Sequence, residues 1–218
     1  MEDIILILQK WSDYHKTHPG SDFEAFCRFY LSHQTLKPAS SSKIPLPSNT
    51  DGLFMMSLSR STLAFWVYMR IALKDTPLPS IEDIMFCSAL SNLGESRKTD
   101  VINYAMIEIS TGTDILNRLI KKGFIHQRVD PNDKRSKLLT LTTPGLTALK
   151  KCYKKASMAR ELFLADLSED EKKIVTQILF PLQEKHSKLS VESKGKTIEE
   201  VFAAMAGKKT KNKSGSDI

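Results

Sequence analysis

Cysteine is scarce in this 218-residue chain, and its spacing excludes two common ways of holding a small domain together. The three cysteines, Cys27, Cys87 and Cys152, lie far apart and form no CxxC pair. Neither an even-numbered disulfide framework nor a zinc site fits that spacing. The five histidines are scattered as well. The sequence therefore predicts no metal, no cofactor and a reducing, cytoplasmic location.

Long hydrophobic runs are also missing. The N-terminal run from Ile4 to Leu8 is far shorter than the ~18 apolar residues of a membrane span. Glu2 and Asp3 precede it, where a signal peptide would carry positive charge. No glycine-rich phosphate loop or nucleophile elbow is found either. We expect a soluble, unprocessed chain that is not an enzyme and does not contact a membrane.

The charge of the chain is concentrated in one segment. Lys and Arg number 32 against 25 Asp and Glu, which gives a net charge of +7, and hydrophobic residues make up 41% of the chain, enough for a core. Residues 118–137 contain seven cations and two acids, a net +5, whereas residues 1–36 carry a net −2. A localised basic segment is typical of a nucleic-acid footprint.

The first 52 residues are predicted to form a separate N-terminal part. Ile4, Leu8 and Trp11 share one face of a helix that ends before Pro19, and residues 21–24 form a capping box for a second helix. We therefore expect a helical extension over residues 1–36. Residues 37–52 are rich in Pro and Ser and are predicted to be a flexible linker.

The following segment, residues 53–190, is predicted to be the folded core. Helical periodicity covers residues 53–75, and a second long helical region covers residues 144–190, with a capping box at Ser168 and a kink at Pro181. Residues 191–218 are expected to form a short helix and a basic tail. No internal repeat is found.

Between these long helices, residues 80–143 follow the pattern of a winged helix-turn-helix. Ser80 begins one helix, a short helix follows from Thr99 to Met106, and Ser110 or Thr111 is expected to cap a further helix that ends at Gly123. Strands are predicted over residues 124–129 and 137–141, around a turn at residues 130–133. In such a motif the second helix enters the DNA major groove and the strand pair reaches the neighbouring backbone or minor groove.

The predicted DNA-contacting residues lie on the outward face of that second helix and on the wing. Four apolar residues form its inward stripe: Ile115, Leu116, Leu119 and Ile120. Small polar groups lead the outward face, cations follow, and Asp114 is expected to pair with Arg118 on the helix surface. The candidate contacts are Ser110, Thr111, Thr113, Asn117, Arg118, Lys121, Lys122, Lys134, Arg135 and Lys137.

Three ordered blocks make the segment recognisable. Residues 117–125 (NRLIKKGFI), 130–136 (DPNDKRS) and 141–145 (LTTPG) together resemble the multiple-antibiotic-resistance-regulator (MarR) family. The resemblance implies an all-α protein with a small β wing, in which a winged helix-turn-helix is joined to a helical dimerisation domain. It also implies a homodimer that binds double-stranded DNA. In the family pattern Arg135 is the wing arginine that enters the minor groove, and Asp133 orients it.

From these patterns we predict a transcriptional regulator that represses by occupying a palindromic promoter site. Trp11, Phe65, Trp66 and Met69 are either ordinary core residues or the lining of a pocket for a small-molecule effector. Two other functions remain open. The domain can be a winged-helix module that binds protein, or a nuclease that uses Asp130, Asp133 and Lys134 around a metal ion, although no third acid converges on that turn.

Overall fold

The computed structural model describes residues 2–33 and 46–213, with side chains from residue 3 to residue 205. These residues divide into two compact units, one up to Leu53 and the other from Phe54 onward. Within the described segments, no helix is both long and apolar enough to cross a membrane.

The N-terminal unit contains a pair of helices joined by aromatic packing. Helix α1 spans Glu2–Thr17 and α2 spans Phe23–Ser32. The ring centroid of Phe26 lies 5.2 Å from that of Trp11 and 5.6 Å from that of Tyr14. The predicted capping box is wrong by one position, because Asp22 is the N-cap and its carboxylate accepts from the amide of Ala25.

Helix α3 begins at Thr50, within the predicted linker, and most of that linker, up to residue 45, lies outside the described residues. The elements that follow it alternate long helices with a small sheet. They are α3 (Thr50–Leu73), α4 (Ile81–Leu93), β1 (Ser96–Arg97), α5 (Lys98–Tyr104), α6 (Ile109–Lys121), β2 (Ile125–Val129), β3 (Lys137–Leu141), α7 (Thr143–Phe163), α8 (Glu169–Glu192) and α9 (Ile198–Lys213).

The sheet has three antiparallel strands in the order β1-β3-β2. Strands β2 and β3 form the predicted hairpin, with Ile125 opposite Leu141 and Val129 opposite Lys137. Strand β1 is added to the free side of β3, where Ser96 pairs with Leu139. The fold class is confirmed: the chain is mostly helical and carries a small β wing.

The core lies beneath the helix-turn-helix. Its fully buried side chains come mainly from helices α3 to α7 and from strands β2 and β3, and they include Leu73, Phe86, Val101, Leu116, Leu119, Ile125, Leu139 and Leu149. Helix α8, in contrast, has no buried residue although it carries several apolar side chains. A single copy of the chain therefore leaves the apolar surface of α8 in water.

Side-chain caps explain where several of the helices begin. The hydroxyls of Ser80, Thr142 and Ser168 each accept from a backbone amide in the first turn of α4, α7 and α8, and the capping box at Ser168 is confirmed. The predicted cap of α6 is wrong. Glu108 precedes the helix without a side-chain cap, so that Ser110 and Thr111 lie inside its first turn.

Past Pro181, α8 continues to Glu192. Helix α9 opens with a capping box between Thr197 and Glu200 and extends to Lys213. The predicted short helix is therefore longer than expected and extends into the lysine-rich residues 208–213.

Candidate nucleic-acid interface

Helix α6 is held in its place by close packing on α4 and α5. A Cβ atom added at Gly112 would lie 2.9 Å from a side-chain carbon of Ile102 and 3.2 Å from the ring of Phe86. Ordinary van der Waals contact needs more space than that, so a glycine is what allows α6 to approach these helices. Its buried face contains Ile115, Leu116 and Leu119, as predicted, and Ile120 is half-buried.

The opposite face of α6 is open to solvent. Ser110, Thr111, Asn117 and Lys121 are exposed, whereas Thr113 is half-buried. The outward position of most of the predicted contact residues on this helix follows from its strong amphipathicity. Whether they touch DNA remains a prediction.

Arg118 and Lys122 make a contact that the sequence pattern did not suggest. The Arg118 guanidinium donates to the carboxylate of Asp83, which is only 1% exposed and comes from α4. The Lys122 ammonium lies 3.9 Å from the other oxygen of the same carboxylate. The predicted pair of Asp114 with Arg118 is therefore wrong, and Arg118 anchors the end of α6 to α4.

Asp130 organises the start of the wing turn from a buried position. One carboxylate oxygen accepts from the amide of Asn132 at 2.9 Å, and the other accepts from the Arg97 guanidinium of β1 at 3.2 Å. The backbone amide of Asp130 also donates to the carbonyl of Ser136. A carboxylate that is occupied in this way holds the turn closed and is poorly placed to ligate a metal ion.

Asp133 acts on the backbone of the wing tip. Its carboxylate accepts from the Ser136 hydroxyl at 2.7 Å and from the amide of Arg135 at 3.1 Å. These two hydrogen bonds lower the pKa of the Asp133 carboxyl below its ordinary value. Among the described residues no ion pair joins Asp133 to the Arg135 guanidinium. Asp133 therefore fixes the backbone at Arg135 and leaves the charge of the guanidinium exposed.

This arrangement predicts a pH dependence of the wing. A carboxyl whose pKa is lowered by folding stabilises the folded turn above its unfolded pKa, and that contribution is lost as the pH falls through the folded pKa. In an NMR titration we expect the midpoint of Asp133 to lie below the ordinary pKa of an aspartate side chain. Ser136→Ala is expected to raise the Asp133 midpoint, because the main hydrogen bond is lost. Equal midpoints in the two proteins would contradict this account.

Arg128 and Lys98 are two further cations near the predicted DNA-contacting residues. The Arg128 guanidinium donates to both carboxylate oxygens of Glu95, which raises the pKa of Arg128 and lowers that of Glu95. The Lys98 ammonium lies 3.5 Å from the Asn117 side-chain oxygen, and burial together with nearby Lys137 lowers the Lys98 pKa.

Sequence reasoning missed Lys98 because it lies twenty residues before the basic segment. The available signal was its place at the first position of the helix that precedes α6. Three cations of the basic segment pair with acids: Arg118, Lys122 and Arg128. The other four, Lys121, Lys134, Arg135 and Lys137, are exposed, and none forms an ion pair with a described residue.

The structure agrees only in part with an effector pocket lined by Trp11, Phe65, Trp66 and Met69. An open apolar groove of about 630 Å³ lies between α3, α7 and α8, and Phe65 lines it. Met69 is buried in the core, Trp66 is not part of the lining, and Trp11 belongs to the N-terminal unit.

The cysteines differ in their surroundings. Cys87 and Cys152 are buried, whereas Cys27 is half-buried. Burial raises the pKa of the Cys87 thiol to about 12, so this thiol stays protonated and unreactive at neutral pH. No group of three potential metal ligands occurs in the parts of the chain that the structure describes.

Comparisons with known proteins agree with this architecture. The MarR family model matches residues 88–137, which span α5, α6, β2 and the wing turn. An uncharacterised HTH-type transcriptional regulator of Bacillus subtilis, YwaE, is 27% identical over 85 residues, which are 39% of this chain and 48% of that protein. The chain therefore matches about half the length of this curated relative.

Two solved structures show the same fold. A MarR protein from Peptoclostridium difficile superposes with a TM-score of 0.61 at 19% identity, covering 70% of this chain and 99% of that one. BpsR of Bordetella bronchiseptica, whose structure concerns the regulation of its DNA binding by 6-hydroxynicotinic acid, gives a TM-score of 0.55 at 19% identity, over 60% and 98% of the two chains. At this identity the likeness establishes the fold.

Proposed function

We propose that this chain, whose residues 88–137 match the MarR family model, is a DNA-binding transcription regulator of the cytoplasm. The observation that carries the proposal is a basic surface around α6 and the wing. Lys98 contacts Asn117 of α6 and is close enough to Lys137 of β3 for the two charges to repel. The recognition helix and the wing are thus linked by one positively charged surface.

The two parts of this surface suit different contacts. The exposed side chains of Thr111 and Asn117 offer donors and acceptors to base edges in the major groove. The Arg135 guanidinium, at the tip of a turn held by Asp133, suits the negative potential of a narrow minor groove. Lys121, Lys134 and Lys137 are free for phosphates.

We further propose that the regulator is a homodimer. Helix α8 has no buried residue, yet Ile174, Val175, Ile178 and Phe180 are exposed on it. An apolar surface of this kind is normally covered by another protein surface. A twofold dimer would present two copies of α6 to a palindromic site and would repress by occupying a promoter. A small-molecule effector, as in BpsR, remains part of the proposal.

The salt dependence of DNA binding tests the proposal. Four cations that pair with no described acid, from each of two subunits, can neutralise about six to eight phosphates, so log K is expected to fall against log salt with a slope of about −5 to −7. Lys121→Ala is expected to reduce the magnitude of the slope by about two per dimer and to leave sequence preference intact. Lys173→Ala, which removes a cation that pairs with Asp170 on α8, is the matched control and is expected to change nothing.

Two other outcomes would replace the proposal. If a pool of random duplexes shows no salt-dependent binding, the winged helix is a protein-binding module. If the protein cuts DNA only when magnesium is present, the nuclease alternative is right. That result would set the chain apart from MarR-family proteins, which are DNA-binding regulators and not enzymes.

A further inference from the structure

One line of exposed side chains runs along α6 on the side opposite its buried face. Its members follow the spacing i, i+4, i+7 and i+11, and they are Ser110, Asp114, Asn117 and Lys121. The buried residues Ile115, Leu116 and Leu119 lie on the other side of the helix. A helix that enters the major groove turns the face opposite its core contact toward the base edges. This line, here called the reading line, is therefore the part of α6 that meets the bases if the chain binds DNA.

Asp114 places a negative charge in the middle of the reading line. It is exposed, and its carboxylate forms neither an ion pair nor a hydrogen bond with any residue that the structure describes. Arg118, one turn further along α6, is engaged by the buried carboxylate of Asp83 on α4 instead. Both carboxylate oxygens of Asp114 are thus open to a group from outside the chain.

Lys98 lies beside the reading line and partly offsets the charge of Asp114. Its ammonium, at the start of α5, is 3.5 Å from the side-chain oxygen of Asn117, which is three residues from Asp114 on α6. Burial and nearby Lys137 lower the Lys98 pKa, and the negative charge of Asp114 opposes that shift. An acid on a DNA-binding face is repelled by phosphates. The attraction between Lys98 and Asp114 reduces this cost and leaves the carboxylate oxygens uncovered.

The four bases differ in what their major-groove edges offer to a carboxylate. An ionised carboxylate only accepts hydrogen bonds. Cytosine presents an amino donor, whereas guanine presents two acceptors and thymine presents an acceptor beside a methyl group. Adenine also has an amino donor, but the N7 acceptor beside it repels a carboxylate. Cytosine is therefore the base that suits Asp114 best.

We infer that Asp114 is a specificity-determining residue that accepts a hydrogen bond from the amino group of a cytosine in the major groove, with Lys98 as its balancing charge. The inference rests on the proposed DNA binding and adds which base this face of α6 selects. Guanine or thymine at the same position places an acceptor against the carboxylate. Asp114 thus excludes these bases as well as binding cytosine. A twofold dimer repeats the cytosine once in each half-site.

Selection of binding sites from a pool of random duplexes tests the inference on the full-length chain. The wild type is expected to select cytosine at one position of each half-site. Asp114→Ala is expected to lower the preference at that position at least about five-fold and to leave the other positions unchanged. Asp114→Asn, which has the same shape, is expected to shift the preference toward adenine, because a carboxamide accepts from N6 and donates to N7.

Affinity measurements at one fixed salt concentration separate a base-reading role from that of a solvated charge. Asp114→Ala removes a charge that phosphates repel, so it is expected to bind random duplexes about two- to five-fold more tightly. Its affinity for the site selected by the wild type is expected to fall. A merely solvated acid would raise both affinities by the same factor, and that result overturns the inference. Asp166→Ala, which removes an exposed acid between α7 and α8, is the matched control and is expected to change neither affinity.

Lys98→Met tests the balancing charge. We expect it to weaken binding to random duplexes at least about two-fold more in the wild-type background than in the Asp114→Asn background, because only the wild type retains a carboxylate to offset. An equal loss in the two backgrounds overturns the role of Lys98.

The outcomes also separate this inference from the proposed function. A wild-type chain that binds no duplex at any salt concentration overturns the proposed DNA binding itself. A wild type that binds DNA, but whose base preference is unchanged by Asp114→Ala, overturns only the role of Asp114. If Asp114→Ala relaxes a preference for a base other than cytosine, the assignment of cytosine is wrong.

Discussion

Arg135→Ala is expected to weaken specific DNA binding by about 1–3 kcal/mol, which is about 5- to 150-fold in the dissociation constant. Arg135 is exposed at the tip of the wing, and no described acid competes for its guanidinium. Its charge is therefore available to DNA without first breaking an ion pair. The measurement is the affinity for the chain's own operator, found by genomic footprinting and compared at one fixed salt concentration.

Two controls make this prediction specific to the wing arginine. Lys134→Ala removes a neighbouring exposed charge and is expected to cost only what one phosphate contact is worth. The free energy of unfolding of Arg135→Ala is expected to stay within about 0.5 kcal/mol of the wild type, because the side chain is exposed. An unchanged operator affinity would contradict the assignment.

The affinity for the operator also tests whether Asp133 positions Arg135. Its carboxylate holds the amide of Arg135 and the hydroxyl of Ser136, so Asp133→Ala is expected to loosen the turn that presents the arginine. The double variant with Arg135→Ala is then expected to lose less than the sum of the single losses.

Gly145→Ala is expected to lower the free energy of unfolding by about 2–3 kcal/mol, because the added methyl group has no space. A Cβ at this position would lie 2.2 Å from the carbonyl oxygen of Phe124, which belongs to the backbone and cannot move aside. That carbonyl also accepts hydrogen bonds from the amide and the hydroxyl of Thr142. Displacing α7 would break the junction between the wing and this helix.

Thr147→Ala is the matched control, since it changes an exposed position two residues along the same helix. We expect its stability to stay within about 0.5 kcal/mol of the wild type. Urea unfolding of both variants checks the prediction. If Gly145→Ala is as stable as the wild type, the close contact at Phe124 does not exist in solution.

Much of the helix-turn-helix could be predicted from residues close in sequence. The spacing of Ile115, Leu116 and Leu119 determines which face of α6 is buried, because one helix places these side chains together whatever packs on it. Ser80 and Ser168 mark helix starts for the same local reason, since a cap bonds its own first turn. The wing hairpin follows from two short strands around a proline turn.

Partners that are distant in sequence could not be predicted in this way. The pair of Arg118 with Asp83 joins residues 35 positions apart, and that of Arg97 with Asp130 joins residues 33 apart. The sequence suggested a nearer partner for Arg118, Asp114 on the same helix. Strand β1 was missed because two residues carry no periodicity and form a strand only when β3 is beside them.

The sequence by itself therefore determined the helical class, the wing, the inward face of α6 and the concentration of positive charge between residues 118 and 137. Only the tertiary structure decided which of those charges remain available. Arg118, Lys122 and Arg128 pair with acids from α4 and from the loop before β1, and Lys98 is brought beside Lys137 from outside the basic segment. The physical reason is that hydrophobic periodicity and capping act within one element, whereas ion pairs depend on how elements pack across the core.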